Sequence, residues 1–209
     1  MPRVPAKQRR QDFIRAATKV IAEHGVDGAT TRRIAAAAGA PLASLHYTFH
    51  SKEELFFAIQ EEQLGLLEQR DLQVSPDVGL GKTAAEMLRL VMEWLTDQDE
   101  FTRATLELQL WAHRLDPSLA IRSYDVHLNS IMASLRKAAT SEDADELVEA
   151  LGRMIASAAD GLSIQWLTYR DSRRLATDVA LWGAALERLV HEHRRPRGKP
   201  RQAQAADVG

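Results

Sequence analysis

Apolar residues recur along most of this chain at intervals of three and four, the spacing that puts them on one face of an α-helix. Near the start, Phe13, Ala17 and Val20 follow this spacing, and Gly25 stands where a glycine commonly ends a helix. No alternating pattern of useful length indicates a β-strand. The sequence therefore predicts an all-α protein, with further amphipathic helices over residues 52–72, 82–96, 101–115, 117–139, 142–169 and 173–193.

Residues 30–55, TTRRIAAAAGAPLASLHYTFHSKEEL, hold two much shorter helical patterns separated by a glycine. Thr30 is a suitable N-cap, because its hydroxyl can accept a hydrogen bond from a first-turn amide. Gly39 can adopt the left-handed conformation that ends a helix, and Pro41 suits the first turn of the next one. Ala35 is small where the two helices would touch. This spacing predicts a helix-turn-helix, and a purely structural helical hairpin is the alternative.

The formal net charge of −2 hides an asymmetry between the two ends of the chain. Residues 1–55 contain nine Lys and Arg against five Asp and Glu, a net charge of +4, which leaves −6 for the remainder. A basic end on an acidic body favours an anionic partner for that end alone, although a solvated helix surface would also explain the imbalance. With no cysteine, disulfides and thiolate metal sites are excluded.

The sequence contains no continuous apolar run long enough for a signal-peptide core or a membrane span. We therefore expect a cytoplasmic protein with no membrane partner. His191 and His193, and His113 with Asp116, supply too few ligands for a metal site. Residues 77–82, DVGLGK, lack the spacing of a phosphate-binding loop. We expect no catalytic residues, no metal and no cofactor, and so no enzyme.

The stretch over residues 30–55 resembles the DNA-binding signature of the TetR family of transcriptional regulators: Thr-Thr, Ile-Ala, an Ala-Gly turn, a Leu followed by His and Tyr, then Phe and Lys-Glu. The resemblance covers roughly residues 10–60. It implies a three-helix helix-turn-helix head over residues 1–55 and a helical bundle for ligand binding and dimerisation over residues 56–195. Residues 196–209 are expected to be a disordered basic tail. The implied function is a ligand-responsive repressor, a homodimer that binds a palindromic operator in double-stranded DNA and is released by a small, largely apolar effector.

Carried over position by position, the resemblance assigns roles within the head. Contacts with phosphates or the DNA backbone would be made by Thr31, His46, Tyr47 and Lys52. Arg32 would reach either a phosphate or a base edge. The first turn of the second helix, Leu42, Ala43 and Ser44, would face the bases. Leu42 and Ala43 can touch thymine methyl groups but cannot form bidentate hydrogen bonds, so specificity would rest on Arg32, Ser44, Thr48 and DNA shape.

The resemblance also implies an effector site and a dimer interface in the body. Aromatic, Met and polar side chains of the middle helices could line a cavity, with core packing as the alternative for each: Trp94, Trp111, His113, Tyr124, His127, Met132, Gln165 and Trp166. Two apolar stripes near the C-terminal end would pack against a second copy, unless each is buried in its own chain: Leu151, Ile155, Ala158, Leu162, Val179, Trp182 and Leu186.

A second function class remains open, a helical small-molecule-binding or catalytic protein whose head is structural and does not bind DNA. The two classes differ in one structural expectation. A DNA-binding head requires Arg32, Tyr47 and Lys52 to face solvent on one side. A structural head allows them to pair with the acids Asp27, Glu53 or Glu54.

Overall fold

A computed structural model describes residues 5–69 and 76–194 of the chain. Within these residues the protein forms nine α-helices and no strand, which confirms the all-α prediction. A short 3-10 turn, Pro76–Val78, precedes the fifth helix. The helices are α1 (Ala6–Gly28), α2 (Thr31–Ala37), α3 (Leu42–Thr48), α4 (Lys52–Gln69), α5 (Leu80–Asp97), α6 (Asp99–Leu115), α7 (Pro117–Ala138), α8 (Asp145–Tyr169) and α9 (Ser172–Arg194). The basic tail predicted over 196–209 lies outside the described residues.

The backbone of α1 is interrupted at Gly25, which has a φ of +68° and a ψ of 172°. An L-residue with a side chain rarely adopts this conformation, so the glycine is required at the break. Val26, one residue later, is buried, and its carbonyl accepts the amide of Ala29 at 3.2 Å. The break therefore ends the long helix at the place predicted and turns the chain toward α2.

The head has its own hydrophobic core, formed where α1 to α4 meet. Phe13 of α1 contacts Phe49 edge-on, with ring centroids 6.5 Å apart. Phe56 at the start of α4 is buried, and two residues of α6, Ala104 and Leu108, complete the cluster. Because α6 contributes to this core and α1 packs along it, the head is joined to the body by direct side-chain packing. The core crosses residue 55, and the predicted division into two domains at that point stays a prediction.

A second core fills the body between α5, α7, α8 and α9. It is built from aliphatic side chains of these helices together with the methionines of α5. Close helix approach depends on small residues at two points. A Cβ on Gly183 of α9 would lie 3.3 Å from the Cβ of Ala85, and one on Gly81 of α5 would lie 3.2 Å from the Cα of Glu187. These glycines allow α5 and α9 to pack along most of their length.

The turn between α8 and α9 is tied to the start of α6. Arg170, the C-cap of α8, adopts a left-handed conformation with a φ of 53°. Its guanidinium pairs with the carboxylate of Asp99, which also lies 3.0 Å from Arg103. The same guanidinium stacks over the ring of Trp166, 5.5 Å from the ring centroid. Hydrogen bonding to Arg170 holds the pKa of Asp99 below its usual value.

Candidate nucleic-acid interface

The helix-turn-helix is built by the local signals present in the sequence. Thr30 caps α2, its Oγ1 accepting the amide of Arg33 at 3.2 Å. Gly39 has a φ of +57° and reverses the chain, and the amide of Ala40 donates to the carbonyl of Ala35 at 3.0 Å. Pro41 stands in extended conformation immediately before α3 and offers no side-chain cap. The predicted turn is therefore present, with Pro41 at the N-cap position rather than inside the helix.

One side of α2 and α3 is anchored in the head core. Ile34 and Ala35 of α2 are buried, as are Leu45 of α3 and Phe49 at its C-terminal end. Ala35 is only 2% exposed, which agrees with the expectation that only a small residue fits where the helices meet. With its inner face fixed in this way, α3 presents its opposite face to solvent.

The outward face carries several of the residues predicted to bind DNA. Tyr47 is 86% exposed, and Arg32, Ala43 and His46 are also exposed. In the described part of the chain neither Arg32 nor Tyr47 forms an ion pair or hydrogen bond with an acidic side chain. For these two residues, the exposure is what a DNA-binding head requires and what a purely structural head does not need.

Four further predicted DNA contacts are half-buried: Thr31, Leu42, Ser44 and Thr48. Thr48 donates its hydroxyl to the carbonyl of Ser44 at 2.8 Å, so this hydroxyl is committed to its own helix in the free protein. At the first turn of α3, Leu42 and Ser44 are therefore partly accessible, and Ala43 between them is exposed.

Lys52 differs from the expectation that it faces solvent. It is half-buried, and its Nζ donates to the carbonyl of Val26 at 3.0 Å while lying 5.0 Å from the centroid of the Phe56 ring. This hydrogen bond thus joins the last turn of α1 to the first turn of α4. An ammonium has three donors, so two remain for an outside partner. Within the described residues, Lys52 is not paired with Asp27, Glu53 or Glu54.

The start of α4 also carries a helix cap that was not predicted from the sequence. Ser51 caps α4 by accepting the amide of Glu54 at 3.0 Å, and the Glu54 carboxylate accepts the amide of His50 at 2.7 Å. This backbone hydrogen bond lowers the pKa of Glu54. A Ser followed three residues later by Glu is the signature of a capping box, so the sequence carried the signal. The cap fixes the α3–α4 corner and with it the position of Lys52.

The residues predicted to bind an effector are spread over the body. Trp94 is buried, whereas His113 and Gln165 are exposed. Trp111 contacts Phe56 edge-on, with centroids 5.1 Å apart, and so forms part of the junction between head and body. Met132 is buried against α8, where a Cβ on Gly152 would lie 2.8 Å from its Cγ.

The other three predicted effector residues lie where α7 and α8 approach the end of the body near α6. His127 is half-buried, as are Tyr124 and Trp166. Tyr124 donates its hydroxyl to Asp160 at 2.7 Å, and burial together with this carboxylate raises the pKa of Tyr124. The eight residues lie on different turns of α5 to α8, and a cavity shared by all of them stays a prediction.

A large groove lies elsewhere, between α5 and α9. Its volume is about 1000 Å³, and its walls are formed by Ala85, Met92, Val179, Ala180 and Gly183 with charged residues along the rim. None of the eight predicted effector residues lines it. The groove runs along the line where α5 and α9 pack, a feature that helical periodicity alone does not reveal.

Most of the residues predicted to form a dimer interface are inside the chain. Leu151, Ile155 and Leu186 have no exposed surface, and Ala158 and Leu162 are no more than 3% exposed. They form the body core, so the prediction that they face a second copy is wrong, and the alternative of burial within the chain holds for them. Val179 is also buried at 9% exposure, while Trp182 is 39% exposed.

Apolar surface is instead exposed on the outer sides of α8 and α9. Ile164 is 55% exposed and Leu181 is 64% exposed, in addition to Trp182. The sequence contained both sets of apolar positions, but it could not show which side of each helix meets the rest of its own chain.

No group of three or more His, Asp or Glu side chains within the described ranges is arranged to hold a metal ion. His191 and His193 lie exposed in the last turn of α9. None of the described helices is both long enough and apolar enough to cross a bilayer.

Comparison with known proteins agrees with the geometry of the head. The family described as "Bacterial regulatory proteins, tetR family" matches residues 13–59. The nicotine-responsive transcriptional repressor HdnoR of Paenarthrobacter nicotinovorans is 30% identical over 172 residues, which cover 78% of this chain and 86% of the relative. The chain therefore belongs to the TetR family, whose members matched here are named transcriptional regulators and repressors.

One further relative matches part of this chain in sequence, and one solved structure shares its fold. The transcriptional repressor AcnR of Corynebacterium diphtheriae is 31% identical over 116 residues, so the match spans 54% of this chain and about half the length of that relative, 55%. The fatty acid degradation regulator FadR from Bacillus halodurans has a TM-score of 0.67 at 19% identity, covering 90% of this chain and 97% of that structure. This second likeness shows that both chains share one fold.

Proposed function

We propose that this protein is a repressor that binds a palindromic operator as a homodimer and releases it when a small effector binds in the body. The observation that carries the proposal is the free outer face of α3, where Tyr47 and His46 are exposed, together with the exposed Arg32 of α2. A helix anchored by Leu45 and Phe49 on one side and polar on the other is suited to enter a major groove.

The roles within the head follow from what each side chain can offer. Tyr47, His46, Thr31 and Lys52 contact the DNA backbone and fix the orientation of the head. Leu42, Ala43 and Ser44 face the bases, and Arg32 contacts a phosphate or a base edge. With Thr48 bonded to Ser44 in the free protein, base readout through Thr48 requires that hydroxyl to turn away from its own helix.

The homodimer is proposed to form through the outer sides of α8 and α9. Support comes from Ile164, Leu181 and Trp182, which expose apolar surface on the two helices that the family resemblance assigns to dimerisation. A two-fold protein matches a two-fold operator, with recognition helices about 34 Å apart in successive major grooves. The variant Leu181→Glu should shift the molecular mass in solution from dimer toward monomer. Leu110→Glu on α6, with 63% exposure against 64%, is the matched control and should leave the mass unchanged.

The effector is proposed to be small and largely apolar, and to act through the body. A ligand shifts DNA affinity only as far as it prefers the conformation that does not bind operator. Support for a ligand-responsive repressor comes from HdnoR, whose name records that it responds to nicotine; the effector of the present chain is a separate question.

The decisive experiment is retention of genomic fragments by the dialysed protein at moderate salt, followed by sequencing. Recovery of fragments that share an inverted repeat supports the operator proposal. Tyr47→Ala should weaken retention of all fragments, and Arg32→Ala should also lower selectivity among them. Lys137→Ala, an exposed position on α7, is the control. Retention without sequence preference, lost equally for all fragments as salt rises, would contradict the proposal.

A further inference from the structure

Three buried polar atoms have no hydrogen-bond partner within the described residues: Nε of Arg103, Oγ of Ser163 and Nε1 of Trp166. Ser163 as a whole is only 3% exposed. The Nε atom of arginine and the Nε1 atom of tryptophan can only donate, and the serine hydroxyl can donate as well. Unsatisfied buried donors are rare in folded proteins, so three on two neighbouring helices require an explanation.

The contacts of these residues place them in one region, the seam between α6 and the last turns of α8. Ser163 and Trp166 are three residues apart and therefore share one face of α8. Trp166 stacks with Arg170, which pairs with Asp99, and Asp99 in turn lies 3.0 Å from Arg103. These contacts link Arg103 to Trp166 through a single carboxylate, and Ser163 lies one turn before Trp166 on the same helix.

The charge of this seam is not balanced. Arg103 and Arg170 bring two positive charges to the one negative charge of Asp99. Because every free atom is a donor and the region is cationic, the missing partner is an acceptor and an anion. A carboxylate has two oxygens with about four acceptor positions, enough for three donors.

We propose that the seam between α6 and α8 binds a carboxylate of the effector, with Arg103, Ser163 and Trp166 as its donors. The inference rests on the proposed effector response and narrows its chemistry, from a largely apolar molecule to one that carries an acid group.

The same seam is connected to the head by side-chain packing of α6. Ala104, beside Arg103, is fully buried in the head core, as is Leu108 one turn further along α6. A carboxylate held by Arg103 of α6 and by Ser163 and Trp166 of α8 ties these two helices together and so changes the position of α6. Because α6 carries side chains on which the head packs, this shift reaches the head.

The first test uses the free protein. Ser163→Ala and Trp166→Phe remove donors that have no partner, so neither variant should lose stability to urea beyond the packing change, and Ser163→Ala should be at least as stable as the parent. Ser157→Ala, at an exposed position on the same helix, controls for the change in helix propensity. If Ser163→Ala is clearly less stable than Ser157→Ala, the hydroxyl has a partner in solution and the proposal is overturned.

The second test uses acids paired with their neutral amides at millimolar concentration: benzoate with benzamide, and hexanoate with hexanamide. At least one acid should raise the melting temperature of the parent while its amide does not, and Ser163→Ala and Trp166→Phe should each bind that acid about tenfold more weakly. Equal shifts from acid and amide, an equal shift from inorganic phosphate, or no shift from either acid would overturn the proposal.

Failure of this inference and failure of the proposed function are separable. Retention of operator fragments by the Ser163→Ala variant, with no release by the acid that releases the parent, supports both. If fragments are retained with sequence preference but no acid binds, only the carboxylate inference is wrong. If an acid binds selectively but no fragment is retained, the seam is a ligand site and the repressor proposal is wrong.

Discussion

Replacing Lys52 tests whether this side chain holds the head together as well as facing DNA. Its Nζ lies 3.0 Å from the carbonyl of Val26 and 5.0 Å from the centroid of the Phe56 ring. A hydrogen bond to a charged donor contributes about 1.5 kcal/mol at the low end of its range, and partial exposure reduces this to about 1 kcal/mol. The cation–π contact adds about 0.5 kcal/mol. We expect Lys52→Ala to lower the free energy of unfolding by about 1.5 kcal/mol.

Tyr47→Ala provides the comparison, because Tyr47 is 86% exposed and should change the free energy of unfolding by less than about 0.5 kcal/mol. Both variants should lose DNA affinity, so only stability separates their roles. Urea denaturation followed by circular dichroism measures the difference, with Lys137→Ala as the control for removing an exposed lysine. Equal urea midpoints for Lys52→Ala and Tyr47→Ala would refute the bond to Val26.

Four other substitutions test the fold. Gly39→Ala should lower the free energy of unfolding by about 1 kcal/mol, because φ is +57° although nothing crowds a new Cβ. Gly161→Ala, also uncrowded but helical, should be neutral or stabilising by up to about 1 kcal/mol. Urea midpoints in the opposite order would contradict this. Leu151→Ala should cost about 3 kcal/mol, and a loss below about 1 kcal/mol would show that this leucine is not in the core. The hydrogen bond from Arg194 lowers the pKa of Asp143 below 3.8. This pair therefore stabilises the folded protein above about pH 4, and its contribution is lost as the pH falls through the lowered pKa. The stability difference between the parent and an Asp143→Asn variant should therefore shrink on acidification, and a difference independent of pH would contradict the pairing.

The candidate DNA-binding face was predictable because its signals are local. Thr30 and Gly39 act on a backbone only a few residues away, and their capping and left-handed conformations appear where the sequence placed them. The exposure of Tyr47 follows from its position on the helix face opposite Leu45. The effector and dimer residues were less predictable, since composition names residue types and not the cavity or surface they share.

The sequence by itself determined the helices, the break at Gly25 and the helix-turn-helix, because hydrophobic periodicity, caps and glycine conformations act within one or two turns. Tertiary structure alone decided that Leu151 lies in the core while Leu181 is exposed, since both sit on apolar stripes and only the neighbouring helices distinguish them. It also decided the bond from Lys52 to Val26 and the pairing of Arg170 with Asp99, 26 and 71 residues apart. Such contacts depend on how helices pack, which no local pattern specifies.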